Sequence, residues 1–151
     1  MNEFLSALVQ LPLVRDCASA KVASPSDVRR VCADIAGLAQ ESFHVLMLDT
    51  RNGVLSRTMA GLGLANACLV HPREVFRQAV AANAVAVILA HNHPSGDPAP
   101  SAEDLRVTRQ LVAAGRILDI RVLDHVVVAR ESPQCPSGAL SLREEGLVDF
   151  A

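Results

Sequence analysis

Residues 84–90 (Ala-Val-Ala-Val-Ile-Leu-Ala) form an unbroken apolar run between Asn83 and His91. A run this short, partly β-branched and bounded by polar residues, reads as a strand buried on both faces. Such a strand needs helices above and below its sheet, which sets the fold class as α/β with a mixed three-layer arrangement. The run is also too short to span a bilayer, even counting Ala79 to Ala82 before Asn83.

The flanking pattern supplies the other layers. Ser24-Pro25-Ser26-Asp27 has hydroxyl, proline and acid in helix-start order, and predicts a helix to about Gln40 with Val28, Val31, Ile35 and Leu38 on one face. Phe43 to Leu48 reads as a buried strand. Asn52-Gly53 supplies a turn, and Val54 to Met59 returns as its hairpin partner. Gly61 and Gly63 interrupt that pattern, and Ala67 to Val70 predicts a short strand. Pro72 opens a helix to about Ala82. Ser101 opens another, ending near Gly115. Ile120 to Ala129 reads as a strand bent at Asp124, and Leu140 to Val148 as a short closing element. Phe4 to Val14 reads as a short helix or docking segment. The domain is expected over residues 24–151, after an N-terminal segment of residues 1–23.

The chain has 151 residues, half of them hydrophobic, with a mean hydropathy of +0.28. That is enough to bury a core without disulfides or a structural metal. Intrinsic disorder is excluded. A net charge of −2 and a pI near 6.2 exclude a generally basic nucleic-acid binder. The aromatics are four Phe alone, so no platform for stacking bases is evident. The four cysteines, Cys17, Cys32, Cys68 and Cys135, show no C-x-x-C spacing. They point to a reducing cytoplasm, with Cys32 and Cys68 as small core residues. Phe4 to Val14 followed by Ala18-Ser19-Ala20 faintly resembles a secretion signal, but Glu3 gives the leading region the wrong charge.

The chemistry concentrates in residues 91–104, His-Asn-His-Pro-Ser-Gly-Asp-Pro-Ala-Pro-Ser-Ala-Glu-Asp. Two histidines at i and i+2 leave the end of a strand, so both rings project to one side. Their ring nitrogens suit a single zinc ion at about 2.0–2.1 Å. Asp104, in the first turn of the next helix, offers a third ligand. Three protein ligands leave the fourth tetrahedral position to water, the pattern of a catalytic zinc site. Taken alone, Ser101-Ala102-Glu103-Asp104 also reads as a helix cap that needs no metal.

The spacing H-x-H, seven residues, S-x-x-D, carried by His91, His93, Ser101 and Asp104, matches the JAMM (MPN+) metalloprotease motif. Longer phrases resemble the RadC family: Glu41-Ser42-Phe43, His71-Pro72-Arg73-Glu74, His91-Asn92-His93-Pro94-Ser95-Gly96, Asp124-His125 and Arg143-Glu144-Glu145-Gly146-Leu147. The resemblance covers residues 24–148. It implies a JAMM/MPN fold, similar in outline to cytidine deaminases. It implies Zn2+ on His91, His93 and Asp104, with Glu41 as general base and Ser101 positioning the water or stabilising the oxyanion. The activity implied is that of a zinc-dependent peptidase or isopeptidase acting on a peptide or isopeptide. The alternative is a DNA-repair or recombination accessory role, as the family name suggests.

RadC proteins usually carry a helix-hairpin-helix-like region before this domain, which is not expected within residues 1–23. Gly61-Leu62-Gly63-Leu64 also departs from the family phrase. Glu74 is the rival base, ranked below Glu41 because acids are common in a first turn. His125 is expected as a core histidine first and as a partner of a ligand second. His44 and His71 receive no chemistry. An HNH nuclease is excluded because its residues spread over a hairpin and helix. A deaminase is disfavoured because H-x-E and P-C-x-x-C are missing.

Overall fold

The computed structural model describes residues 20–63 and 70–151, with the backbone alone of Val14 and Arg15. The helix or docking segment expected up to Val14, the strand expected from Ala67, and Cys17 and Cys68 lie outside the described residues, apart from Val14 and Val70. The elements are β1 (Val14–Arg15), α1 (Pro25–Val31) followed by a 3-10 turn (Ala33–Ile35), β2 (Ser42–Leu48), β3 (Val54–Leu62), α2 (Pro72–Ala81), β4 (Ala86–Asn92), α3 (Ala102–Leu118), β5 (Arg121–Val128) and β6 (Ala139–Ser141).

The strands form one six-stranded sheet in the order β1-β3-β2-β4-β5-β6. Every neighbouring pair is antiparallel except β4 with β5. That parallel pair needs a crossover, and α3 makes it. Every residue of β2 and β4 is buried, so both faces of the sheet centre are covered. Phe43, Val45, Met47, Val87, Leu89 and Val127 face Val75, Phe76, Val107 and Leu111 of α2 and α3. Leu46, Leu48, Ile88, Ala90, Val126 and Val128 face Val28, Cys32 and Ile35 of α1 and its 3-10 turn. The mixed sheet between two helical layers is the fold class expected from the apolar run.

Several boundaries moved for identifiable reasons. α1 stops at Val31 instead of running to Gln40. The Val31 carbonyl accepts from Arg57 Nη1 at 3.0 Å, and Asp34 in the following turn faces the same guanidinium. α3 continues past Gly115 to Leu118 and closes on Asp119, which adopts φ 56°. Gly115 is not a stop. A Cβ there would collide with the Ile120 carbonyl, so the glycine lets the returning chain approach the helix. β3 runs through Gly61 instead of ending at it, paired with Phe43 of β2. β4 starts later than the apolar run and ends later, taking His91 and Asn92 into the strand. The closing element is shorter than expected: β6 covers Ala139–Ser141, and turns follow.

The bend at Asp124 is a β-bulge. Val87 pairs with Val122, but Ile88 pairs with Asp124. The extra residue reverses the alternation of β5. His125 therefore turns to the α2/α3 face, the face that carries His91.

Candidate metal centre

The site forms where the carboxyl end of β4 meets the amino end of α3. His91 is the last β4 residue facing α2 and α3, and it is fully buried. Phe43 stacks on its ring with centroids 6.0 Å apart, and meets His125 edge-on at 5.2 Å. His93 follows one residue beyond the strand. Its Nδ1 donates to the Asp97 carbonyl at 2.8 Å. That bond leaves the Nε2 lone pair facing inward. The loop reaches Asp97 through a turn in which Gly96 N–H donates to His93 O, with Gly96 at φ 81°.

Asp104 enters from the first turn of α3. Ser101 is the N-cap: its Oγ accepts from Asp104 N–H at 3.0 Å, and Asp104 Oδ2 accepts from Ser101 N–H at 2.7 Å. This capping box is the structural arrangement the sequence also allowed. It fixes the carboxylate in place, and the same Oδ2 lies 3.2 Å from His93 Nε2 and 3.4 Å from His91 Nε2. The two Nε2 atoms are 2.8 Å apart.

Glu41, just before β2, brings Oε1 to 4.0 Å from His91 Nε2. One ligand atom from each of Glu41, His91, His93 and Asp104 lies within 4.8 Å of the others. Four bonds of 2.0–2.1 Å around one tetrahedral ion separate neighbouring ligands by about 3.3 Å. The His91, His93 and Asp104 atoms match that spacing. The donor set is two imidazoles and an acid, mostly buried, with two carboxylates and no cationic side chain among the four. Such a set suits a divalent cation.

The electrostatics agree with this arrangement. Burial alone would raise the Asp104 carboxyl, but bonds from His91 and His93 outweigh it and hold it well below the usual carboxylate range. Burial opposes charge on His93, yet Asp104, the Asp97 carbonyl and Glu41 together raise its pKa. Burial holds His125 well below the ordinary histidine value, and the nearby His91 adds to the effect.

Glu41, His91, His93, Ser101 and Asp104 thus converge on one end of the sheet. Glu74 does not: it faces Arg73 and Arg77 on α2. His125 is a buried histidine, and it also touches a candidate ligand, with Nε2 2.7 Å from His91 Nδ1. Two contributors escaped the sequence reading. Thr108 Oγ lies 2.5 Å from His125 Nδ1. Asn92 brackets Glu41: its Oδ1 accepts from Ser42 N–H at 2.7 Å, and its Nδ2 donates to the Gln40 carbonyl at 2.9 Å. Its position between the two histidines was the available signal, because strand alternation aims it away from both rings.

Residues 22–147 match the RadC-like JAB domain family. The chain belongs to that family. This JAB domain is 44% identical over 130 residues to a UPF0758 protein of Caldanaerobacter subterraneus subsp. tengcongensis, covering 85% of the chain and 53% of that protein. It is 51% identical over 114 residues to a UPF0758 protein of Symbiobacterium thermophilum, covering 76% of the chain and 46% of that protein. A UPF0758 protein of Listeria monocytogenes serovar 1/2a is 42% identical over 138 residues, 91% of the chain and 59% of that protein. The chain spans about half the length of these relatives. Among the described residues of the JAB domain, no helix is long and apolar enough to cross a membrane.

Proposed function

We propose that this RadC-family JAB domain is a zinc-dependent hydrolase of peptide or isopeptide bonds, working in the cytoplasm. The observation that carries the reading is the convergence of His91 Nε2, His93 Nε2 and Asp104 Oδ2 within 3.4 Å of one another, with the Glu41 carboxylate 4.0 Å from His91. His91, His93 and Asp104 would hold the ion and leave one position to water. A bound zinc supplies Lewis acidity: it lowers the pKa of its water to about 7 and polarises the substrate carbonyl.

The chain's own residues do the rest. Glu41 takes the proton from the attacking water and delivers it to the leaving nitrogen. Asn92 clamps the backbone on both sides of Glu41 and so aims that carboxylate. The Ser101 Oγ accepts from Asp104 N–H through a lone pair, which leaves its hydroxyl proton to donate to the developing oxyanion.

The test is metal analysis joined to a chelator-controlled panel of linear and isopeptide substrates. Purified protein is expected to hold close to one equivalent of zinc. Glu41→Gln is expected to keep the metal and lose hydrolysis. A zinc-loaded protein that cleaves nothing in the panel would overturn the hydrolase reading in favour of the accessory role, which family membership supports equally. A salt-dependent gel shift would then probe contact with DNA.

A further inference from the structure

His91 is bonded on its inner side to a short chain of hydrogen-bonding groups that ends on the residue supplying the third ligand. Thr108 Oγ lies 2.6 Å from the Asp104 carbonyl one helical turn earlier. A carbonyl oxygen has only lone pairs, so that contact takes the Thr108 hydroxyl proton. Thr108 Oγ then meets His125 Nδ1, 2.5 Å away, with a lone pair. His125 Nδ1 must carry the proton. His125 is fully buried, and no carboxylate is hydrogen-bonded to it among the described residues. It is therefore a neutral ring with one donor and one acceptor. Its Nε2 is the acceptor, and His91 Nδ1, 2.7 Å away, must donate to it. His91 Nε2 is left with a bare lone pair. That atom faces His93 and Asp104.

We propose that His125 and Thr108 are positioning residues that lock His91 in the Nδ1–H tautomer, so that its Nε2 is always presented to the metal. The inference rests on the metal-site reading above and extends it inward. A single residue, Asp104, then contributes twice. Its carboxylate enters the site directly, and its backbone carbonyl sets the direction of every hydrogen bond leading to His91. The chain ends on that carbonyl and has no exit to solvent, so it orients the ligand and does not conduct protons. The bulge at Leu123 and Asp124 is what makes the contact available. Without it His125 would face α1, on the far side of the sheet from His91.

The test measures zinc affinity by competition with a chromophoric chelator, with folding followed by circular dichroism. His125→Leu removes the acceptor and is expected to weaken zinc binding about 10–100-fold, the cost usual for losing a ligand's outer partner. His125→Gln restores an acceptor oxygen near His91 Nδ1 and is expected to recover most of that loss. Thr108→Val is expected to weaken binding, and Thr108→Ser to leave it near wild type. If His125→Leu does not fold, the Thr108 pair decides. A folded His125→Leu or Thr108→Val that binds zinc as tightly as wild type overturns the proposal. So does a His125→Gln variant as weak as His125→Leu.

A second readout does not depend on metal. Long-range 1H–15N spectra of the metal-free protein at mildly alkaline pH are expected to show the His91 proton on Nδ1. A proton on Nε2 overturns the lock even if zinc binds. Failure of the wild-type protein to bind zinc overturns the metal reading instead, and leaves the spectrum to judge the lock.

Discussion

Each face of the same sheet buries a charged or ionisable cluster, and the two are finished differently. On the α1 face, Arg57 is 1% exposed and is closed off by protein groups. Nη1 and Nη2 each reach an Asp34 oxygen at 2.7 Å, and Nη1 also donates to the Val31 carbonyl. On the α2/α3 face, two imidazole nitrogens and a carboxylate oxygen point at one another with lone pairs. The first cluster satisfies itself, as a buried charge must. The second becomes satisfied when a cation sits among its atoms. Buried polarity alone therefore does not mark a site. Convergence of acceptors without a protein donor does.

The largest contrast should come from removing one acid on each face. Asp104→Ala is expected to weaken zinc binding more than about 100-fold, beyond the usual cost of losing an outer partner. Asp34→Ala should leave zinc binding unchanged. It strands a buried guanidinium, however, and removing one partner of a buried pair costs about 3–5 kcal/mol. Asp34 is itself partly exposed, so the low end, about 3 kcal/mol, is expected in urea unfolding. Loss of zinc binding in Asp34→Ala would break the contrast, because the α1 face would then be part of the site.

The α1 face also holds a titratable group beside Arg57. His44 Nε2–H donates to Ser42 Oγ at 3.0 Å, while Nδ1 is buried without a hydrogen-bond partner among the described residues. Burial first, and the Arg57 charge second, lower its pKa to about 4. Unfolded, the ring takes its proton near 6.5. Between these values the unfolded chain binds more protons, so stability rises with pH across that window. The His44 contribution is complete above about pH 6.5, is lost as pH falls toward 4, and changes no further below it. The loss amounts to between about 2 and 3 kcal/mol. Urea unfolding between those pH values should show it in the wild type, and His44→Gln should flatten the slope. An unchanged slope in His44→Gln would assign the acid limb to other groups.

The ligands were legible in the sequence because they are local. His91, His93 and Asp104 fall within one strand end, one loop and one helix turn. Periodicity alone suffices to place them on a common side. The central strand was legible for the same reason. What the sequence hid depends on residues far away in the chain. α1 breaks after Val31 because Arg57, on β3, draws on its last carbonyl. Gly115 looks like a helix stop until Ile120 is seen to pass against it. His125 lies on the ligand face because of one inserted residue, and β alternation carries no mark of a bulge. Thr108 reads as an ordinary helix residue until His125 arrives beside it. Glu41 precedes its strand with nothing local to distinguish it from a solvated acid, and the family resemblance singled it out.

The smallest expected effect compares two capping boxes of identical chemistry. Ser24 caps α1 and shares its box with Asp27, as Ser101 caps α3 and shares its box with Asp104. Asp27 spends its Oδ2 on the Ala23 and Ser24 amides and the Ser24 hydroxyl, which lowers its pKa. Asp104 spends its Oδ2 on the Ser101 amide and the two histidines. Replacing either serine with alanine removes one cap acceptor and should cost about 1 kcal/mol in unfolding free energy. Neither change removes a ligand, so zinc should stay bound in both. If Ser101 also donates to the reacting carbonyl, only Ser101→Ala should slow hydrolysis, by lowering kcat with little change in KM. Equal stability losses with equal turnover would reduce Ser101 to a helix cap, leaving the metal and Glu41 as the whole of the chemistry.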